Sequence, residues 1–265
     1  MTPPADLEIP EHTLLRRIGG GSYGEVWLAR SATEAWRAVK VVRRDSFKDD
    51  DPYQQELVGI QKFEPVSRQH PGVIDVLQVG FNAEAGYFYH VMELADDAGG
   101  HDKIDPEIYQ PRTLQSELEQ RGRLPVPECL EAGRALADAL AHLHGHGLVH
   151  RDLKPANVVY VQGQPKLADI GLVAATDDAG SLVGTHGYIP DEGTGSPQAD
   201  LYGLGKVIYE MATGKDRQDF PELPGPEPEL RELNLVILKA CAEEPAERYP
   251  TAAALAGCPN CKSPI

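Results

Sequence analysis

The chain has 265 residues, and 25 lysines and arginines against 41 aspartates and glutamates give a formal charge of −16 at neutral pH. That length can bury one large or two small cores, and 41% hydrophobic with 25% charged residues excludes collagen-like, coiled-coil and wholly disordered classes. The acidic balance argues against partners held by a basic field, nucleic acid and anionic membranes among them.

Residues 1–12 are polar and proline-containing, without the cationic start and apolar core of a secretory signal. No stretch reaches the roughly 18 uninterrupted apolar residues of a membrane span. From Leu14 to Met92 short apolar-rich segments alternate with turn residues. Leu14–Ile18, Val26–Arg30, Trp36–Val42, Val73–Phe81 and Tyr87–Met92 are predicted strands. One helical pattern, Tyr53 to Phe63, interrupts them, with Leu57, Ile60 and Phe63 on one face. Past Met92 the texture changes. Asp96–Pro111 is rich in Gly, Pro and Asp and reads as a loop. Helices are predicted over Leu114–Arg121, Pro127–His144, Gln198–Thr213, Leu230–Ala242 and Pro250–Ala256, with strands at Asn157–Val161 and Pro165–Leu167. Phe220–Pro228 reads as a second loop. Four cysteines do not make a disulfide scaffold. Cys129 and Cys241 fall in helical patterns as inert core thiols, and the expected compartment is cytoplasmic and reducing.

The first candidate site is Gly19-Gly20-Gly21-Ser22-Tyr23-Gly24. A dinucleotide-binding reading of this string wants a strand before it and a helix after it, whereas Glu25–Ala29 is strand-like. A glycine loop between two antiparallel strands can offer backbone N–H groups to phosphates; an ordinary hairpin turn is the competing reading. Lys40 ends an apolar strand, placed either to snorkel or to reach a buried anion. A phosphate would satisfy it, with Glu56 of the following helix as the best candidate to hold it. A surface lysine is the plainer alternative.

His150-Arg151-Asp152-Leu153-Lys154-Pro155-Ala156-Asn157 is a sharper signal, because it sets a carboxylate, an ammonium and an amide close together. Asp152 can accept a hydroxyl proton or orient the hydroxyl. Lys154 can neutralise a phosphate in transit, and Asn157 can offer an oxygen to a divalent cation. Asp169-Ile170-Gly171 adds a second hard oxygen ligand, and so sparse a set suits magnesium.

These motifs together resemble the protein kinase superfamily, and within it the eukaryotic-like serine/threonine kinases of bacteria. Gly19–Val26 is similar to the glycine-rich loop, Ala38-Val39-Lys40 to the strand lysine motif with Glu56 as helix partner, and His150–Asn157 to the catalytic loop. Asp169-Ile170-Gly171 resembles the metal-binding triplet, with Ile170 where phenylalanine is usual. Gly184-Thr185-His186-Gly187-Tyr188 resembles the peptide-positioning loop, whose Thr185 would bond near Asp152 and Lys154. Asp200 would brace the catalytic loop, and Arg248 would pair with Glu192 of Pro190-Asp191-Glu192. Met92 falls at the gatekeeper position, Glu93-Leu94-Ala95 at the hinge for an adenine edge, and Ile18, Val26, Ala38 and Val159 around the adenine ring.

The resemblance implies an α+β, bilobal fold. A small antiparallel β-rich N-lobe with one main helix would occupy residues 1–94 and a larger, mainly helical C-lobe residues 95–256. The kinase domain itself would run over about 14–256, before a tail, 257–265. The implied activity is transfer of the ATP γ-phosphate, with Mg2+, to serine or threonine hydroxyls of protein substrates, including autophosphorylation. Lys40, Glu56, Asp152 and Lys154 are the implied catalytic groups and Asn157 and Asp169 the magnesium ligands. A pseudokinase scaffold and a small-molecule kinase on the same fold are the alternatives.

Several weaker signals remain. His142, His144, His146 and His150 crowd one segment, yet side chains two apart on a helix do not share a face. Cys258-Pro259-Asn260-Cys261 resembles half of a zinc ribbon, but a closed site needs four ligands. Thr176 and Ser181 are candidate phosphosites for Arg151 to receive, against the reading of an unmodified polar loop. The Asp96–Pro111 stretch either alters access to the cleft or, more simply, is a surface loop.

Overall fold

The computed structural model describes residues 3–4, 6–21, 24–48, 50–101, 103–169, 174–175, 184–222 and 228–258. The first lobe begins with β1 (His12–Gly21), β2 (Gly24–Ser31) and β3 (Trp36–Arg43), successive antiparallel neighbours. Then come α1 (Asp50–Ser67), β4 (Val76–Asn82) and β5 (Tyr87–Met92), giving a sheet in the order β1-β2-β3-β5-β4.

Alternation along β3 decides what each face does. Val39 and Val41 pack with Trp27, Tyr87, Tyr89 and Val91 on one side, covered by Leu7 and Ile9 of the N-terminal segment. Ala38 and Val42 join Ile60, Phe63 and Val66 of α1 on the other. Lys40 lies on this second face by the same alternation. Residues 7–9 are therefore more than a polar lead-in. Burying Leu7 and Ile9 is worth roughly 1.5–3 kcal/mol each, and the Tyr87 hydroxyl pins the backbone between them, donating to Glu8 O at 2.8 Å.

Two of the boundaries that differ from the sequence reading bear on the core. The first helix continues past Phe63 through Pro65 to Ser67. Proline there removes one backbone donor, while Val66 and Ser67 are buried and the Ser67 hydroxyl donates to Glu64 O at 2.8 Å. The run beginning at Val73 enters the sheet only at Val76. Val73 instead forms a parallel bridge with Leu167, and Ile74 N donates to Leu167 O at 2.9 Å, so these apolar residues fill the junction between the lobes.

The second lobe continues with α2 (Leu114–Arg121), α3 (Val126–Gly145), β6 (Leu148–Val149), β7 (Val158–Val161), β8 (Gln164–Leu167) and β9 (Ala174–Ala175). It ends with α4 (Pro197–Thr213), α5 (Pro228–Ala240) and α6 (Ala252–Ala256). Strands β6 and β9 form one small antiparallel pair and β7 and β8 another. The periodic Leu136, Leu140 and Leu143 of α3 are fully buried against α4, whose Leu204, Val207 and Ile208 are buried in turn. Thr113 and Ser116 form a reciprocal capping box at α2, and Ser196 caps α4 ahead of Pro197.

The result is the two-lobed α+β arrangement expected from the sequence. Cys129 and Cys241 are buried, and burial pushes each thiol up to about 12, as inert core cysteines require. Cys261 lies outside the described residues. Among those described, no helix is long and apolar enough to cross a membrane.

Candidate active site

A cavity of about 430 Å³ opens between the sheet and the helical lobe. Ile18, Val26 and Ala38 form its roof, Ala156 and Val159 its floor, Met92 its back, and Glu93, Leu94 and Ala95 its connecting edge. The apolar slot thus assembles from the residues chosen in the sequence. Gly19, Gly20 and Gly21 close β1, and Gly21 pairs with Gly24 across the hairpin. Gly24 is a close-approach position, since a Cβ there would lie 2.7 Å from Val41 O. Ser22 and Tyr23 lie outside the described residues.

Lys40 sits opposite Val26 on one side and His90 on the other, 6% exposed, on the cleft face of β3. Its ammonium donates to Asp169 Oδ1 at 2.5 Å. Burial alone would lower its pKa, but the carboxylates of Asp169 and Glu56 outweigh this and hold it raised. The lysine charge in turn holds Asp169 below the usual carboxylate range against the opposing effect of burial.

The expected Lys40–Glu56 contact is not made. Glu56 is 8% exposed, its Oε1 has no hydrogen-bond partner, and burial pushes its pKa up to about 7, moderated by the charge of Lys40. Two carboxylates compete for one ammonium, and the one from the metal-type triplet holds it.

The His150–Asn157 segment is fixed from beneath by α4. Both oxygens of buried Asp200 are used: Oδ2 accepts from His150 N at 2.8 Å and Oδ1 from Arg151 N at 2.9 Å. His144 Nε2 lies 2.9 Å from Oδ2. This clamp holds Arg151 at φ 68°, a left-handed conformation that costs a non-glycine residue about 1–3 kcal/mol.

Three polar side chains then converge on one carboxylate. Asp152 Oδ1 accepts from Thr185 Oγ1 at 2.7 Å, and Oδ2 accepts from Lys154 Nζ at 2.7 Å and from Asn157 Nδ2 at 3.0 Å. Lys154 also donates to Thr185 Oγ1 at 2.8 Å. Burial would raise the pKa of Asp152, yet the hydrogen bonds from Lys154 and Thr185 hold it below its ordinary value. Gly184, at φ 136°, lets Thr185 arrive, because a Cβ there would lie 2.8 Å from Arg151 O.

Asn157 directs its amide nitrogen at Asp152, leaving its side-chain oxygen outside that contact, and both Asn157 and Asp169 line the cavity. One carboxylate and one amide oxygen are hard donors, too few to enclose a cation but suited to magnesium completed by phosphate oxygens and water. No group of three or more His, Cys, Asp or Glu among the described residues could hold a metal. The crowded histidines have other partners: Val66 O for His142, Asp200 for His144, His142 O for His146 and Ala168 O for His150.

Arg248 pairs bidentately with Glu192 as expected, and also donates to Gln198 O and Glu243 O. Two contributors were not picked from the sequence. Glu210 of α4 accepts from the Tyr188 hydroxyl at 2.5 Å, and Arg217 donates to His186 O at 3.0 Å while lying over the Tyr188 ring. Neither stands in a recognisable motif: Glu210 lies within α4 and Arg217 beyond its end. Ile170, Gly171, Thr176 and Ser181 lie outside the described residues.

Comparison with known proteins agrees with this geometry. The family model for the protein kinase domain matches residues 12–242. Serine/threonine-protein kinase PknA of Mycobacterium tuberculosis is 32% identical over 222 residues, covering 77% of this chain and 47% of PknA. Serine/threonine-protein kinase PknB of Mycobacterium leprae is 30% identical, covering 96% of this chain and 43% of PknB. Serine/threonine-protein kinase PrkC of Bacillus subtilis is 27% identical, covering 91% and 39% respectively. The chain therefore spans less than half the length of these relatives. With a matching model over most of its length and the motif residues gathered around one cleft, the chain belongs to the protein kinase domain family.

Proposed function

We propose that this chain transfers the γ-phosphate of ATP to serine and threonine hydroxyls of protein substrates, itself included, in bacterial signalling. The observation that carries the reading is the convergence of Lys154, Thr185 and Asn157 on the carboxylate of Asp152 at the cleft floor. Held ionised, Asp152 orients the attacking hydroxyl and accepts its proton. Lys154, within reach of both Asp152 and Thr185, stabilises charge on the phosphoryl group in flight.

In this reading Ile18, Val26, Ala38, Met92 and Val159 grip the adenine ring, and Glu93 and Ala95 meet its edge. The backbone of residues 19–24, Ser22 and Tyr23 included, covers the phosphates, and Lys40 positions them. Asn157 and Asp169 would hold magnesium, which would supply neutralisation of phosphate charge. Beyond the one bond they share, Lys40 keeps further N–H donors and Asp169 a second carboxylate oxygen, so the pair could meet phosphate and metal together.

Residues 1–94 act as the N-lobe and 95–256 as the C-lobe, with the kinase domain spanning about 14–256 and 257–265 a tail. Thr176 and Ser181 are the proposed phosphosites, and the domain works in the cytoplasm. Lys154 and the serine/threonine naming of the relatives support hydroxyl donors of that class. Nothing favours a non-catalytic scaffold, since Lys40, Glu56, Asp152, Asn157 and Asp169 are all present.

The test is incubation with γ-labelled ATP, magnesium and a mixture of serine, threonine and tyrosine peptides, followed by phosphoamino-acid analysis. Label on serine and threonine is expected. Label confined to tyrosine, or to a small molecule, would overturn the reading.

A further inference from the structure

The stretch read as a surface loop is built into the cleft. Its ends are joined by an antiparallel bridge between Asp97 and Pro111, with Ala98 N donating to Gln110 O and Arg112 N to Asp96 O, both at 2.8 Å. From this closed base Tyr109 turns back under the connection between the lobes. It is 1% exposed, lines the cavity, and donates its hydroxyl to Ala95 O at 3.0 Å.

The same loop is reached from the opposite lobe. Arg16 of β1 donates Nε to Pro106 O at 2.7 Å and Nη2 to Tyr109 O. The β1–β2 register is irregular between Leu14 and Arg16 and again between Arg17 and Gly19, so Arg16 sits between two bulge-like breaks. Such breaks re-aim a side chain, and here they bracket the one that crosses the lobes. Ile18, on the cleft roof, is two residues further along the same strand.

We infer that Arg16 and Tyr109 are positioning residues for the nucleotide: Tyr109 fixes Ala95 from below, and Arg16 ties the cleft roof to the loop that carries Tyr109. The inference deepens the proposed function and rests on the cleft being the ATP site. A guanidinium bonded to two carbonyls is a directional, charge-assisted link, and it spans the gap that widens when the lobes part. Loss of the link therefore acts on nucleotide residence, since lobe opening precedes release.

The test measures dissociation constant and dissociation rate of fluorescent Mg·ADP on the whole chain, for wild type, Arg16→Ala, Arg16→Lys, Tyr109→Phe and the Arg16→Ala/Tyr109→Phe double variant. Arg16→Ala and Tyr109→Phe should each weaken binding about 5- to 10-fold, chiefly through faster dissociation. Arg16→Lys keeps the charge but not the fork, and should resemble Arg16→Ala. The double variant should lose less than the product of the single losses, because both act through one loop.

In the transfer assay KM for ATP should rise by the same factor with kcat changed less than about twofold. A merely structural role would lower the melting temperature and leave the ADP dissociation rate, measured well below it, unchanged; that result overturns the inference. Wild type that binds no ADP would overturn the ATP-site reading itself. Wild type that binds, with variants releasing ADP at the wild-type rate, would overturn the positioning role alone.

Discussion

Glu56 is a buried carboxylate without a hydrogen-bonding partner at Oε1, and its chemistry follows from that. Its folded pKa of about 7 stands above the ordinary 4.5 because burial disfavours the charged form. Between those values the folded protein keeps a proton that the unfolded chain has lost. Stability therefore falls as pH rises from about 4.5 through 7 and is flat beyond. Glu56→Gln should stabilise the nucleotide-free protein at pH 8 by up to roughly 3 kcal/mol, with the gain shrinking towards pH 5, measured by urea unfolding at the two pH values. An equal change at both would contradict this account.

At this scale Asp152, Lys154 and Asn157 were legible because they stand in one short segment, and Thr185 joined them through a motif of its own. Which carboxylate reaches Lys40 was not legible. Asp169 is 129 positions away in sequence, and it, rather than the buried Glu56, holds the ammonium.

Among elements, the decisive joint lies between α4 and the segment carrying Asp152. Asp200 binds two consecutive backbone amides with two oxygens, and a neutral amide can supply only one acceptor. Asp200→Asn should cost about 2–4 kcal/mol and lower kcat at least about tenfold, while leaving the ATP dissociation constant within about twofold. Calorimetric unfolding and steady-state kinetics check this; wild-type kcat in a destabilised variant would show that the clamp serves folding only.

Periodicity made the elements themselves readable. The leucines of α3 recur at three and four and all face the core, and the strands alternate. The misread boundaries share one cause. Val73 and Ile74 are apolar because they fill the lobe junction, and Val66 prolongs α1 past a proline because it is buried. Burial, rather than element type, set those residues.

Over the whole molecule a single apolar cluster runs from α1, β4 and β5 through α3 and α4 to α5, so the floor of the cleft and the helix bearing Glu56 rest on one continuous core. The cleft roof meets that shared base through Ala38, Ile18 and Val26, and Arg16 ties its first strand to the loop below. No sequence pattern announced this link, since its partners lie 90 and 93 positions from Arg16 and both are backbone carbonyls. A loop with that composition reads as surface until its tyrosine is found buried.

The central claim is that Asp152 makes this arrangement a working phosphotransferase. It is tested most directly by the intact mass of the purified chain after incubation with ATP and magnesium, beside Asp152→Asn. The account predicts added phosphate groups on the wild type, with peptide mapping placing them on Thr176 or Ser181, and none on Asp152→Asn, which still binds nucleotide. Equal phosphorylation of the two proteins would contradict it.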